Sequence, residues 1–150
     1  MVQTALITGG ASGIGLGMAR AFAQAGMQVV IGDVDEAAIA GAVAGLAAEG
    51  LHIHGERLDV TKAASWKTAL DRIEAAMGPV DLLCNNAGVG QGRFADGAPI
   101  GLADMPEGLW RLVMETNATD RGRVRRRPEP GMIGTPGGRS PASGGWVWNI

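Results

Sequence analysis

A chain of 150 residues with 46% hydrophobic and 19% charged side chains fits a single globular domain and excludes a disordered polymer. Its formal charge of −2 hides a break, because residues 1–118 hold seven basic and thirteen acidic side chains whereas 119–150 hold six Arg and two acids. One cysteine, Cys84, excludes an internal disulfide, and no signal pattern or apolar run of membrane-spanning length occurs, so a reducing cytoplasm is the expected setting and no membrane partner is expected.

In chain order, residues 2–8 are predicted as a first strand around Ala5-Leu6-Ile7. Thr8 to Gly15, reading Thr-Gly-Gly-Ala-Ser-Gly-Ile-Gly, then turns the chain into a helix over 13–26, with Ile14, Met18, Phe22 and Ala25 at helical spacing and Gly26 as its stop. Glycines suit this turn because a strand must reverse within a few residues and backbone N–H groups must approach a bound group without Cβ atoms between. The helix N-terminus that follows offers unpaired donors and partial positive charge, which suit a pyrophosphate. The spacing Gly9-x-x-x-Gly13-x-Gly15 is not the standard Gly-x-Gly-x-x-Gly fingerprint, and with 25 glycines in the chain a purely structural turn stays open for the octapeptide alone.

Met27 to Gly32 is almost continuously apolar, as a parallel strand buried on both faces should be. Asp33 closes it, where a carboxylate can accept both ribose hydroxyls of an adenosine and repel a 2′-phosphate. Val34 supplies no arginine for such a phosphate, so NAD is favoured over NADP; the plainer reading of Asp33 is a solvated loop carboxylate. Asp35 is placed as the cap of a helix to about Glu49, with Ile39, Val43 and Leu46 on one stripe and Gly50 as the stop. Leu51 to Leu58 alternates as a half-buried edge strand with His52, His54 and Glu56 on the polar side, and neither histidine is assigned to a metal. Asp59-Val60-Thr61 follows, Thr61 capping a third helix through Met77 that buries Trp66, Ala69, Leu70, Ile73 and Met77. Gly78-Pro79 ends it, Pro79 to Cys84 is the fourth strand, and Asn85-Asn86-Ala87-Gly88 closes that strand. Val89 to Pro106 reads as a glycine-rich loop, and Pro106 opens a helix through Leu109, Leu112, Val113 and Thr116.

Three rounds of strand and helix predict an α/β fold, a Rossmann-like doubly wound parallel sheet of about five strands, incomplete at its C-terminal side. Gly9 to Gly15, Asp33, Asp59-Val60 and Asn85 to Gly88 all fall at the carboxyl ends of strands, where ligands of such sheets bind. Thr8-Gly9-x-x-x-Gly13-Ile14-Gly15, Asp33, Asp59-Val60, Asn85-Asn86-Ala87-Gly88 and Asn117 after Trp110 together resemble the short-chain dehydrogenase/reductase family in order and approximate spacing over residues 2 to about 118. The resemblance implies an NAD(P)-dependent oxidoreductase moving a hydride between the nicotinamide cofactor and a small-molecule alcohol or ketone. Carried over, it assigns Gly9, Ser12, Gly13, Ile14 and Gly15 to the cofactor phosphates and ribose and Asp33 to the adenosine ribose. Asp59 and Val60 fall to the adenine, and Asn86, Ala87 and Gly88 to the space beside the cofactor. Asn117 matches the active-site asparagine that kinks the long helix and orders a water in the proton relay.

The family's catalytic Ser, Tyr and Lys are not among these residues. Tyrosine is absent, and the two lysines, Lys62 and Lys67, fall in the third helix. The expectation is therefore the amino-terminal half of such an enzyme, 1–118 carrying the cofactor site and inactive by itself, with a non-catalytic dinucleotide-binding module as the alternative. Residues 119–150 form a basic, Gly/Pro-rich segment ending in a possible fifth strand, and 120–129 hold five Arg where the family continues an apolar helix against a partner subunit. That argues against the family's homo-oligomer here. A reading-frame slip over 120–129, a solvated basic loop and a nucleic-acid contact each account for the arginines; the lack of interleaved aromatics and the presence of Pro128 and Pro130 weigh against the last.

Overall fold

The computed structural model describes residues 2–90, 92, 98, 100–119 and 146–149. Five parallel strands form one sheet: β1 (Thr4–Thr8), β2 (Gln28–Asp33), β3 (His54–Arg57), β4 (Leu82–Asn85) and β5 (Trp146–Asn149), in the order β3-β2-β1-β4-β5. The helices are α1 (Gly13–Gln24), α2 (Glu36–Ala48), α3 (Ala63–Met77) and α4 (Glu107–Met114), the last running into a π-helical turn at Glu115–Thr119. After β3 the strand order reverses, and β4 is laid on the other side of β1. Such a reversal leaves a crevice beyond the carboxyl ends of the central strands. The doubly wound α/β architecture expected from the sequence is the one found, and the basic stretch 120–129 lies outside the described residues.

Strand alternation divides the core in two. Leu6, Val30 and Leu83 face α3, which contributes Trp66, Ala69, Leu70 and Ile73, with Met77 packed against them. Ile7, Val29, Ile31 and Cys84 face α1 and α2, where Ala19, Ile39, Ala42 and Leu46 complete the cluster. Each fully buried Leu or Ile contributes about 1.5–3 kcal/mol by leaving water, so the two faces rather than any single contact hold the sheet. Both helices of the second face end in paired 6→1 and 5→2 hydrogen bonds: Met27 N to Phe22 O at 3.1 Å with Gly26 N to Ala23 O at 3.0 Å, and Leu51 N to Leu46 O with Gly50 N to Ala47 O, both at 2.9 Å. Gly26 and Gly50, expected as stops, thus also aim the chain back toward the sheet.

Cys84 lies on the central strand β4, and burial pushes its thiol up to about 11. The folded chain at pH 8 should therefore resist iodoacetamide and react only in denaturant. Rapid labelling without denaturant, followed by mass spectrometry, would show that β4 opens readily.

Three local expectations are corrected. The inward side of α1 is Gly15 and Ala19, flanked by Leu16, Met18 and Phe22, while Ile14 is 70% exposed. Small residues let α1 lie close to the sheet, and the glycine turn leaves Ile14 at the rim. The strand β3 is at the sheet edge, yet it is covered on both faces: a Cβ on Gly55 would meet Ile39 of α2, and on the opposite face Glu56 is 8% exposed beneath α3. That buried charge is tolerated because Arg72 Nη1 reaches its Oε1 at 3.0 Å. The residue before α3 is Lys62, with no side-chain cap, because the Thr61 hydroxyl instead donates to Asp59 Oδ1 at 2.6 Å. Asp35 does cap α2, its Oδ1 accepting from Ala38 N at 3.0 Å.

Candidate functional site

The loop from β1 to α1 divides its amides into two groups. Gly9 N and Gly10 N are already used, donating to Gly32 O at 2.8 and 3.3 Å, and Ala11 N donates to Asp33 Oδ2 at 3.3 Å. Ser12, Gly13, Ile14 and Gly15, by contrast, have no acceptor for their N–H groups among the described residues, and helical bonding resumes at Leu16 N to Ser12 O, 3.1 Å. Four successive free donors at a helix N-terminus are suited to a diphosphate. Two of the glycines serve different needs. Gly13 has φ +52 with nothing within 4 Å of a built Cβ, so only its backbone conformation calls for glycine, whereas a Cβ on Gly15 would lie 2.3 Å from Gly9 O and 2.6 Å from Asn86 Nδ2.

That contact shows what holds the loop. Asn86 Nδ2 donates to Thr8 O at 2.9 Å and to Gly9 O at 3.1 Å, so its side chain is turned into the glycine turn. The buried Thr8 hydroxyl accepts from Asn86 N and Ala87 N at 3.1 and 3.0 Å and donates to Cys84 O at 3.3 Å. One hydroxyl thereby ties the end of β1 to the loop after β4. Thr8 stood in the motif but was given no role; only the cross-strand geometry discloses one.

Asp33 faces the same rim. Its Oδ2 takes the Ala11 amide, its Oδ1 accepts from Val34 N at 2.8 Å, and its carbonyl accepts from Leu58 N at 2.8 Å, which draws the ends of β2 and β3 together. Oδ1 also accepts from Asp35 N at 3.4 Å, so it is Oδ2 that keeps a lone pair for a further donor. Val34 beside it is 55% exposed, so it and Ile14 add two bare apolar surfaces to the rim.

At the end of β3, Asp59 Oδ1 accepts from Thr61 N at 3.0 Å and from the Thr61 hydroxyl, and Oδ2 lies 2.9 Å from Lys62 Nζ. Burial alone would raise this carboxyl, but the Thr61 hydroxyl and amide and the Lys62 ammonium outweigh it and hold it below the usual carboxylate range. A depressed carboxyl contributes stability above its unfolded pKa, about 4, and loses it as pH falls through the lower folded value. Asp59→Asn should accordingly flatten the fall in thermal midpoint below about pH 4; an unchanged acid limb would remove Asp59 as a contributor. Val60 O accepts from the buried Trp66 Nε1 at 3.0 Å, so α3 and the core fix this loop.

Asn117 lies in the π-helical turn, and its side-chain amide pairs with the Val89 backbone: Val89 N donates to Oδ1 and Nδ2 donates to Val89 O, both at 2.9 Å. A kink was expected at this asparagine, and the helix changes there from α to π. Gly88 lies beside it, a built Cβ falling 3.3 Å from Asn117 Oδ1. The structure thus joins Gly9 to Gly15, Asp33, and Asn86 to Gly88 with Asn117 through direct contacts, while Asp59 and Val60 follow Leu58 at the end of the neighbouring strand. Among the described residues no group of three His, Cys, Asp or Glu side chains could hold a metal, and no helix is long and apolar enough to cross a membrane.

Residues 3–139 match the family model described as short chain dehydrogenase. The chain belongs to the short-chain dehydrogenase/reductase family. It is 38% identical over 136 residues to the C alpha-dehydrogenase of Sphingobium sp. strain SYK-6, covering 90% of this chain and 43% of that one. It is 42% identical over 113 residues to the 1-deoxy-11-beta-hydroxypentalenate dehydrogenase of Streptomyces avermitilis, covering 75% and 37%. A short chain dehydrogenase/reductase from Burkholderia phymatum in complex with NAD superposes with a TM-score of 0.72 at 37% identity, over 83% of this chain and 42% of that chain. An actinorhodin polyketide ketoreductase variant with NADPH gives 0.74 at 31% identity, over 83% and 45%. The chain therefore spans under half the length of each of these relatives. Members of the short-chain dehydrogenase/reductase family bind nicotinamide cofactors and act on small molecules. Of these two solved neighbours, one is in complex with NAD and the other with NADPH.

Proposed function

We propose that these residues are the cofactor-binding half of an NAD-dependent short-chain oxidoreductase acting on an alcohol or ketone. The observation that carries this reading is the run of four unpartnered amides, Ser12 to Gly15, bordered by the Asp33 carboxylate. Bound NAD would supply the hydride-accepting ring. The amides of Ser12, Gly13, Ile14 and Gly15 hold the pyrophosphate, and Asp33 accepts from the adenosine ribose. At the adenine, the lone pair left on Asp59 Oδ2 accepts from the amino group, and the Val60 N–H, which has no acceptor among the described residues, donates to the ring. Asn86 acts through Gly9 by holding the turn closed, Ala87 and Gly88 pack beside the cofactor, and Asn117 orders a water at the reacting end. A single buried thiol fits the cytoplasm.

Proton transfer in the family needs a tyrosine that these 150 residues do not contain, and both lysines are engaged elsewhere, Lys62 with Asp59 and Lys67 with Asp71. These residues alone should bind a dinucleotide without turnover. The same observation favours the second reading, a non-catalytic dinucleotide-binding module. Sequencing the DNA beyond codon 150 separates the two, since a Tyr-x-x-x-Lys in any frame supports the enzyme and a regulatory sequence supports the module.

Titration calorimetry with NAD and NADP tests the site itself. NAD should bind more tightly than NADP, and Asp33→Ala should weaken NAD about 10-fold or more, the size expected for hydrogen bonds to a charged acceptor, while narrowing the gap to NADP. A chain that binds neither cofactor has no working rim, and unchanged affinities in the variant would remove Asp33 from it.

A further inference from the structure

A charge pair unused by the reading above stands at the edge of the ribose rim. In the parallel register of β2 and β3, Asp33 is opposite Arg57, and the next amide, Leu58 N, donates to Asp33 O at 2.8 Å. Alternation places both residues on the sheet face covered by α2. Ile31, two residues before Asp33, belongs to that cluster, and Gly55, two before Arg57, lies under Ile39 and Val43 of α2. At the start of α2, Glu36 Oε1 is 3.3 Å from Arg57 Nε, with the two side chains 71% and 55% exposed. No guanidinium N–H of Arg57 makes a hydrogen bond to a described residue, so Glu36 holds it by charge alone, and weakly in water.

We infer that Arg57 is a latent receptor for the 2′-phosphate of NADP, silenced by Glu36, so that this pair together with Asp33 sets how far NAD is preferred. The inference rests on the assignment of Asp33 to the adenosine ribose. A 2′-phosphate monoester carries about −1.5 to −2 charges at pH 7, and a guanidinium fork is the side chain best shaped to receive it. Glu36 cancels the charge of Arg57, occupies one of its edges and adds repulsion of its own. The 2′-hydroxyl of NAD is neutral and gains or loses little from either. Freeing Arg57 therefore changes the affinity for one cofactor and not the other.

The test is calorimetry at low salt on the 150-residue chain, with NAD and NADP, for the wild type, Glu36→Gln, and Glu36→Gln combined with Arg57→Met. Glu36→Gln should raise NADP affinity relative to NAD by about 5–10-fold, a gain that shrinks as salt is added, and the second substitution should return the ratio to its original value. A ratio unmoved by Glu36→Gln overturns the inference. So does a gain that survives in the double variant, because removal of the Glu36 charge would then account for it without Arg57. If the wild type binds NAD and the ratio stays flat, only this inference falls; if it binds no dinucleotide, the ribose assignment falls first. Thermal midpoints for all three chains establish that each is folded.

Discussion

Gly15→Ala is expected to abolish most dinucleotide binding while the chain remains folded. The added methyl would sit 2.3 Å from Gly9 O, 2.6 Å from Asn86 Nδ2 and 3.0 Å from Gly10 Cα; two of these are backbone, and Asn86 Nδ2 is pinned by its bonds to Thr8 O and Gly9 O. Either α1 moves outward or the Asn86 clasp opens. Overpacking of this kind costs about 1–3 kcal/mol of stability. The chain tolerates that cost, whereas the donors for the cofactor are displaced from their positions, and a loss of affinity of about 100-fold, or about 2.7 kcal/mol, is expected. Two companions separate fit from conformation. At Gly13 a Cβ meets nothing and φ +52 is the whole difficulty, so Gly13→Ala should cost about 1–2 kcal/mol and only a few-fold in affinity. At Gly17, within α1 and also open, alanine should stabilise by about 1 kcal/mol and leave binding alone. Calorimetry with NAD should rank the variants Gly17→Ala, Gly13→Ala, Gly15→Ala in falling affinity, and near wild-type binding by Gly15→Ala would refute the close packing of the turn against Asn86.

Thr8→Val should be the most damaging change of near-constant volume. Valine keeps the shape and the strand preference but leaves Ala87 N without its acceptor, leaves Asn86 N only its 3.0 Å bond to Cys84 O, and takes the hydroxyl donor from Cys84 O. Thr8 is fully buried, so water is kept from the Thr8 hydroxyl that serves these groups. Leaving the part-buried Ala87 amide unpaired and Asn86 N with one acceptor in place of two predicts a loss of about 1–3 kcal/mol, a large part of the stability of a small domain. Thr8→Ser keeps the hydroxyl and should lose far less. Urea unfolding of both variants decides it: if valine and serine are equally mild, the hydroxyl is not the joint between β1 and the loop after β4.

The elements that could be read from the chain were those whose cause is local. Gly26 and Gly50 end helices because each adopts the positive φ that a helix end demands, and Asp35 caps α2 with its own side chain. The buried stripe of α3 follows from spacing alone, since a long helix on a flat sheet face buries whatever recurs each turn. The π-helical turn at Asn117 falls where the family motif places a kink. Ile14 misled because helical spacing cannot tell a residue facing the sheet from one displaced to a rim by the turn before it. Glu56 misled because alternation says which side a residue takes and not what covers that side.

What the sequence by itself determined is the order of strands and helices and the family's polar loops at strand ends, because turns, caps and periodicity act over a few residues. The tertiary structure decided which amides of the glycine turn stay free, that Asn86 points into that turn, that the Thr8 hydroxyl joins two strands far apart in the chain, and that Arg57 comes to lie beside Asp33. Each of these depends on strands brought together from distant parts of the chain in one particular register, and no local pattern encodes that register.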